Sequence, residues 1–121
     1  MSVLRSVKAP EKRVEVVRLQ FKDEKTPYSS RFDDIYFAPS TGIEESRYIY
    51  LEGSGLIDSI ESPLQNILVA EIGFGVGLNF LLTLKEFMAR ARTEQHLHYI
   101  SVEKYPVFQG DLEKLYCSYP E

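Results

Sequence analysis

A nearly continuous apolar run at residues 66–72 (NILVAEI), followed at once by closely spaced glycines, limits the possible folds of this chain more than any other feature. A run of this length between loop signals predicts a strand buried on both faces, the kind found in parallel sheets. Glycine lets the backbone turn sharply and lets a ligand come close to it. The sequence therefore predicts a buried strand that ends in a tight bend at Gly73, Gly75 and Gly77.

The residues after the bend predict a helix, a second strand and a last helix. An apolar pattern from Leu78 to Arg92 indicates a helix, and Leu97 to Val102 indicates a strand that ends at Glu103. Two strands joined by a helix run parallel, and Pro106 suits the first turn of the amphipathic helix that follows. Because two parallel strands do not complete a doubly wound sheet, we expect the missing strands to lie outside this sequence or to come from a partner.

The residues before the apolar run predict a short hairpin and a helix. Val14–Phe21 is rich in branched residues and Arg31–Phe37 is a second strand candidate, with a polar loop between them. Thr41-Gly-Ile-Glu44 has the spacing of a capping box, which predicts a helix to about Leu51. Residues 56–65 are interpreted as a connector.

Charge and cysteine content restrict the class of protein. The 121 residues carry a net charge of −4, but residues 1–31 hold eight Lys/Arg and four Asp/Glu. Only this segment is basic enough to contact phosphates, so charge neither supports nor excludes an RNA substrate. Cys117 is alone, so a disulfide framework and a cysteine-based metal site are excluded, and we expect no metal. Because no apolar run approaches the roughly 20 residues of a membrane span and no signal-peptide pattern occurs, we expect a cytoplasmic protein without membrane contact.

The glycine bend and Glu103 form the candidate ligand site. Parallel strands end at the same edge of a sheet, so Glu103 is expected beside the bend, where its carboxylate can accept hydrogen bonds from a ribose diol. Glu71, just before the bend, disfavours a pyrophosphate and suits a cationic ligand such as S-adenosylmethionine. The glycine spacing G-x-G-x-G differs from the dinucleotide fingerprint G-x-G-x-x-G, and the Gly-Lys-Ser/Thr ending of the P-loop is absent.

Five blocks of sequence occur in a fixed order between residues 26 and 121. They are Phe32-Asp-Asp-Ile-Tyr-Phe37, Gly42-Ile-Glu-Glu-Ser-Arg-Tyr48, Leu51-Glu-Gly53, Glu71-Ile-Gly-Phe-Gly-Val-Gly-Leu-Asn-Phe-Leu81 and His98-Tyr-Ile-Ser-Val-Glu-Lys-Tyr-Pro106. The order resembles the methyltransferase domain of the bifunctional enzyme that makes 5-methylaminomethyl-2-thiouridine in tRNA, and its stand-alone relatives.

The resemblance implies an α/β fold: the N-terminal part of a Rossmann-like S-adenosylmethionine-dependent methyltransferase, with a parallel βαβ unit preceded by a short β-hairpin and helix. It implies transfer of a methyl group to the aminomethyl group of wobble uridine, with tRNA as partner. It also implies cofactor contacts by Glu71, Gly73, Gly75, Gly77, Glu103 (on the ribose) and Lys104 (near the adenine). A possible lid would consist of Phe32, Asp33, Asp34 and Tyr36, next to a wall formed by residues 44–48.

Two positions depart from the family pattern, Ser54 where Asn is more usual and Val76 where a small hydroxyl residue is usual. The larger departure is that the family's C-terminal half has no counterpart in this sequence. We therefore expect residues 1–25 to be a basic extension with the first strand and residues 26–121 a partial methyltransferase domain. The catalytic residues are unknown and expected in the missing half, so we expect the chain alone to transfer methyl groups poorly.

Three other interpretations stay open. The chain could be a non-enzymatic half-domain that pairs with another chain, or with a copy of itself, through open strand edges. It could be a dinucleotide-binding module. The glycines could also serve only the close packing of strand against helix.

Overall fold

The computed structural model describes residues 12–119, so residues 1–11 of the basic extension expected over residues 1–25 lie outside the described part. Within that range the chain forms two small sheets and four α-helices, the first of which continues as a π-helix. In chain order the elements are β1 Gln20–Phe21, β2 Pro27–Ser29, β3 Asp34–Ile35, α1 Gly42–Ser46, the π-helix Arg47–Glu52, α2 Leu56–Glu61, β4 Asn66–Ile72, α3 Leu78–Arg90, β5 His96–Val102 and α4 Gln109–Cys117.

Strands β4 and β5 lie side by side as a parallel pair, with α3 connecting them. Their register runs without interruption from Asn66 opposite His96 to Ile72 opposite Val102. Both strands therefore end at one edge of the sheet, and the residues that follow them are neighbours. The predicted parallel βαβ unit is confirmed.

The predicted two-stranded hairpin is wrong in its strand arrangement. β1, β2 and β3 form a three-stranded antiparallel sheet, and its central strand lies in the segment predicted as a loop. Asp23 is the reason, because its carboxylate accepts hydrogen bonds from the backbone N–H groups of Lys25 and Thr26 and from the Thr26 hydroxyl. This tight turn uses few residues and leaves the rest of the segment free to pair.

The strand predicted over residues 14–21 is divided between two partners. Its end forms β1, whereas Val17 makes a parallel bridge to Val107 just before α4. The backbone N–H of Val17 donates to the carbonyl oxygen of Pro106 at 2.9 Å. Pro106 therefore lies outside α4, contrary to the prediction, because its carbonyl pairs with the N-terminal segment.

Asp111, in the first turn of α4, also fixes the N-terminal segment. Its carboxylate accepts hydrogen bonds from Arg18 Nε at 2.7 Å and from the backbone N–H of Leu19 at 2.9 Å. The hydrogen bond from Arg18 holds the pKa of Asp111 below its usual value. The first described residues are thus tied to the last helix.

Helix α1 begins where the sequence predicts, but without the predicted capping box. The Thr41 side chain makes no capping hydrogen bond. Gly42 instead packs so closely on Phe37 that a Cβ there would lie 2.9 Å from the Phe37 Cβ. The start of this helix therefore lies against the Phe37 side chain and has no side-chain cap.

Residues 56–65, predicted as a connector, contain helix α2. Gly55 precedes the helix in a left-handed conformation (φ 73°), which glycine adopts without strain. Leu56 and Ile60, four residues apart, are both buried. The helix forms because this pair packs into the core, and six residues are too few for the periodic pattern to be read from the sequence.

The core has two parts. One is centred on Leu115 and lies between the N-terminal segment, the glycine bend and α4; its buried residues are Leu19, Phe37, Val76, Val107 and Leu115. The other joins β4 and α3 to the π-helix and α2; its buried residues are Leu51, Leu56, Ile60, Ile67 and Leu82. The parallel pair is therefore packed on one side against helices.

The opposite face of the parallel sheet is open, so the prediction that β4 is buried on both faces is wrong for the part of the chain the structure describes. Alternate residues of both strands point there, and the apolar ones among them are 58–93% exposed: Leu68, Ile72, Ile100 and Val102. We call these four residues the open sheet face. Side chains alternate along a strand, so α3 can cover only one set of them.

A buried carboxylate joins the π-helix to α3. Glu86 is 5% exposed and pairs with Arg47 of the π-helix at 2.5 Å and with Arg90 of α3 at 2.7 Å. Arg90 also reaches Glu61 of α2. Among the described helices, none combines the length and apolar composition needed to cross a membrane.

We expect Ile60→Ala and Ile72→Ala to differ sharply in their effect on stability. Removing a fully buried isoleucine costs about 2–5 kcal/mol, because both transfer energy and packing are lost. Ile72 is 93% exposed, so its truncation should change the free energy of unfolding by no more than about 0.5 kcal/mol. Urea unfolding of both variants measures this. Equal destabilisation would mean that the open sheet face is covered in solution.

Candidate functional site

The three glycines after β4 form the predicted bend. Gly73, Gly75 and Gly77 all have positive φ angles, 87°, 57° and 81°. The backbone N–H of Gly73 donates to the Val102 carbonyl at 2.8 Å, which continues the β4–β5 ladder by one bond. Gly77 then directly precedes α3, so the bend carries the chain from the end of β4 to the start of α3. Only glycine adopts this run of left-handed conformations without strain.

Glu103 lies at the bend. One of its carboxylate oxygens, Oε2, accepts a hydrogen bond from the backbone N–H of Gly75 at 2.7 Å, and the other, Oε1, accepts from the N–H of Tyr105 at 2.9 Å. A carboxylate offers about four acceptor sites, so each oxygen retains capacity for one more donor. The geometry leaves Glu103 able to accept two hydroxyl groups while it holds the bend.

Glu71 is the second carboxylate of the site. Its Oε1 accepts a hydrogen bond from Asn79 Nδ2 at 3.1 Å, and its Oε2 accepts from the Tyr99 hydroxyl at 2.8 Å and the Ser101 hydroxyl at 2.9 Å. Burial raises the pKa of Tyr99, and the hydrogen bond to Glu71 raises it further, so the phenol remains a donor. Glu71 is thus held by three neutral donors.

Neither carboxylate has a basic partner among residues 12–119. The ion pairs in that range involve other acidic residues, which are Glu15, Glu61, Glu86, Glu94 and Asp111. Glu71 and Glu103 are both half-buried, so water screens their charges less than it would at the surface. The site therefore favours a ligand that brings hydrogen-bond donors and a positive charge.

The predicted lid residues divide into two pairs. Tyr36 contacts the bend, since a Cβ on Gly75 would lie 3.6 Å from the Tyr36 ring, and burial together with the nearby Glu103 raises the pKa of Tyr36. Phe32 lies beside Tyr105, with ring centroids 5.6 Å apart. The Tyr36 ring is therefore near Glu103, and the Phe32 ring is near Tyr105, whose N–H bonds to Glu103.

Asp33 and Asp34 are bonded away from the bend. The Asp33 carboxylate accepts a hydrogen bond from the Tyr28 hydroxyl, and the Asp34 carboxylate accepts from the backbone N–H of Ile35 at 2.8 Å. Lys104 is exposed, with its ammonium 5.3 Å from the centre of the Tyr105 ring. Among residues 12–119, none of these three side chains makes a hydrogen bond to a glycine of the bend.

Two cavities meet at the bend. The larger, about 500 Å³, is lined by Glu71, Gly73, Tyr99 and Ser54, and the smaller, about 290 Å³, by Tyr36, Gly75 and Glu45. Tyr50 and Asn79 line both cavities. The predicted wall of residues 44–48 thus borders the smaller cavity through Glu45, while Arg47 of that wall pairs with Glu86 instead.

Sequence reasoning missed four residues of the site: Tyr50, Asn79, Tyr99 and Ser101. Tyr99 and Ser101 could have been found, because the period-two alternation of β5 puts both on the face that Glu71 shares. Tyr50 could not, since it depends on the packing of the π-helix. Within the described range, no three His, Cys, Asp or Glu side chains are grouped to hold a metal.

Ser54 and Val76, the two positions that depart from the family pattern, have different surroundings. Val76 is buried in the core, and its carbonyl oxygen accepts a hydrogen bond from the Tyr116 hydroxyl at 2.7 Å. Ser54 borders the larger cavity, so the side chain at this position faces the site.

Relatives with known names match most of the chain. It is 43% identical over 105 residues to the tRNA 5-methylaminomethyl-2-thiouridine biosynthesis bifunctional protein MnmC of Leptospira borgpetersenii. The aligned region covers 85% of this chain and 16% of that protein. The protein of the same name from Magnetococcus marinus is 45% identical over 106 residues, 84% of this chain and 15% of the relative. The chain therefore spans about one sixth of the length of these relatives. No family model matches the chain.

One solved structure supports the fold. The crystal structure of MNMC2 from Aquifex aeolicus superposes with a TM-score of 0.57 at 21% identity, covering 93% of this chain and 39% of that one. The prediction of a Rossmann-like α/β fragment is confirmed at the level of the fold, and the predicted relationship to MnmC proteins is confirmed by the sequence identities.

We expect Gly77→Ala to destabilise the protein more than Gly73→Ala. Both substitutions force alanine into a left-handed conformation, which costs about 1–2 kcal/mol. A Cβ on Gly77 would also lie 2.7 Å from the Phe74 ring, whereas nothing lies within 4 Å of a Cβ on Gly73. Moving Phe74 should add about 1 kcal/mol. Urea unfolding measures the free energy of unfolding of both variants. An equal decrease in the two would show that Phe74 does not pack on the bend.

Proposed function

Because the chain is related over most of its length to one segment of MnmC proteins, we propose that it forms the S-adenosylmethionine-binding part of a tRNA-modifying methyltransferase. The whole protein would transfer the methyl group to the aminomethyl group of wobble uridine. Lys104 would lie near the adenine, and Tyr36 and Phe32 would cover the pocket. The tRNA partner and a cytoplasmic location belong to this proposal.

The observation that carries the proposal is the 2.7 Å hydrogen bond from the Gly75 N–H to Glu103. It brings a carboxylate with free acceptor capacity to a bend where the backbone is open to a ligand. A ribose diol is a matching pair of donors for such a carboxylate. The Tyr36 ring lies beside Gly75, and the Phe32 ring lies beside Tyr105, whose N–H bonds to the same carboxylate. We expect both rings to contact a bound nucleoside.

The charge of the site supports S-adenosylmethionine over a dinucleotide. Glu71 and Glu103 carry two negative charges without a basic partner in the described residues. A pyrophosphate placed there would be repelled, whereas a sulfonium and an ammonium would be attracted. When bound, S-adenosylmethionine supplies the methyl group; the residues of this chain bind and orient it.

Methyl transfer is a single displacement in which the amine of the uridine forms the new N–C bond as the C–S bond of the cofactor breaks. The amine must be neutral, so a group is needed that takes up its proton. The proposal uses the free acceptor sites of Glu71 and Glu103 to bind the cofactor. We therefore assign neither carboxylate to that role, and the proposal names no catalytic residue. Weak or absent methyl transfer to undermodified tRNA by this chain alone follows from the proposal.

Calorimetry tests the cofactor assignment. We expect S-adenosylmethionine and S-adenosylhomocysteine to bind and NAD not to bind. Glu103→Ala should weaken both adenosyl ligands by at least about tenfold, equal to about 1.4 kcal/mol, because the ribose acceptor is lost. The control is Glu113→Ala, since Glu113 is exposed and bonds only the Gln109 side chain among the contacts described.

Glu103→Gln is the second variant, because it keeps the shape of the side chain and one acceptor for the Gly75 amide. Unchanged affinity in both Glu103 variants would contradict the ribose contact. Binding of NAD with an affinity equal to that of the adenosyl ligands would instead favour the dinucleotide-binding module.

A non-enzymatic half-domain that pairs with a second copy is the other candidate, and the open sheet face favours it. Parallel strands are almost always covered on both faces, and here four apolar side chains remain exposed on one of them. The outer edges of β4 and β5 are also unpaired within the described residues. A second copy could cover the face or extend the sheet.

Light scattering distinguishes this candidate. If the face pairs, the wild-type protein should have the mass of two chains and Ile72→Lys should be a monomer, because a charge on a buried contact is costly. Met88→Lys is the control, since Met88 is exposed on α3 away from the sheet. A wild-type monomer at every concentration would rule the pairing out.

A further inference from the structure

We infer that Tyr99 and Ser101 are positioning residues that act through Glu71 and set the preference of the site for a cationic ligand. The inference rests on the proposed S-adenosylmethionine site. It starts from the convergence of two β5 hydroxyl groups on a single oxygen of Glu71, at 2.8 and 2.9 Å.

The strand register produces this convergence. Ser101 lies directly opposite Glu71 in the parallel pair, and Tyr99 lies two residues earlier on the same face of β5. The three side chains are therefore brought together by backbone pairing rather than by the reach of flexible chains. A carboxylate held in this way loses little freedom when a ligand arrives.

The donors divide unequally between the two oxygens. Oε2 accepts two hydroxyl groups and is saturated, whereas Oε1 accepts only the Asn79 amide within the described contacts. Because a carboxylate oxygen accepts about two hydrogen bonds, Oε1 keeps one acceptor site for a ligand donor. Tyr99 and Ser101 thus fix the rotation of the carboxylate, and with it the position of the free acceptor.

The chemical type of the donors matters as well as their position. Hydroxyl and amide groups hold the carboxylate without neutralising its charge, whereas an arginine or lysine would compete with a cationic ligand. Glu71 borders the larger cavity and is half-buried, so its charge acts on a ligand through little water. A sulfonium should gain from that charge more than the neutral thioether of S-adenosylhomocysteine.

Both residues can be changed without losing their packing. The Tyr99 ring packs edge-on against Phe80 of α3 at a centroid distance of 5.1 Å, and Phe80 in turn lies 6.2 Å from Phe74 in the bend. Tyr99→Phe keeps these ring contacts and removes only the hydroxyl group. Ser101→Ala similarly removes one oxygen atom.

The test is the ratio of affinities for S-adenosylmethionine and S-adenosylhomocysteine, measured by calorimetry on this chain. The wild-type protein should prefer S-adenosylmethionine, and Glu71→Gln should reduce that preference by at least about tenfold. Tyr99→Phe and Ser101→Ala should each reduce it about threefold to tenfold, the effect of one misplaced charged hydrogen bond. In the Glu71→Gln background, neither substitution should change the ratio further, because both act through the carboxylate.

Two controls remove the same groups elsewhere. Tyr119→Phe and Ser118→Ala each delete a hydroxyl group that bonds a backbone carbonyl away from the site, so their ratios should equal that of the wild type. Thermal unfolding of each variant separates loss of fold from loss of preference. If Tyr99→Phe fails to fold, the affinity ratio of Ser101→Ala still tests the inference.

The possible failures can be told apart. A wild-type protein that binds neither adenosyl ligand overturns the proposed function and this inference together. A wild-type protein that binds both ligands, with ratios unchanged in Tyr99→Phe and Ser101→Ala, overturns the inference alone.

Discussion

The hydrogen bond between the Gly75 amide and the Glu103 carboxylate joins the end of β4 to the end of β5, and the geometry of the site depends on it. It is possible because the two strands are parallel and end in register, and because the glycine at the bend turns its N–H toward the neighbouring strand. The same carboxylate also accepts a hydrogen bond from the N–H of Tyr105, whose ring lies beside that of Phe32. One side chain therefore connects the bend, the end of β5 and part of the predicted lid.

The packing around the parallel pair is strongly asymmetric. On one face, the cluster that contains Ile60 packs α3, the π-helix and α2 together and Glu86 ties the π-helix to α3, while the other face presents four apolar side chains to solvent. The glycine bend does not need the open face to form, because it is held by Val102, Glu103 and Phe74.

Where sequence reasoning failed, the deciding interactions were ones that hydrophobic periodicity does not show. The strand at Pro27–Ser29 follows from a turn closed by Asp23, a single side chain whose bonds are invisible in a hydrophobic pattern. Helix α2 has six residues and two buried positions, too few for periodicity. The capping box predicted at Thr41 placed the start of α1 correctly, but the capping hydrogen bond is absent and Gly42 packs on Phe37 instead.

The sequence by itself determined the βαβ unit, the position of the bend and the nearness of Glu103 to it. These follow from local causes: apolar runs define β4 and β5, glycine permits positive φ, and parallel strands joined by a helix must end together. The tertiary structure alone decided that one sheet face stays open, that Tyr50 borders both cavities and that three neutral donors hold Glu71. Those features depend on which distant elements pack together, and no local pattern of residues encodes that choice.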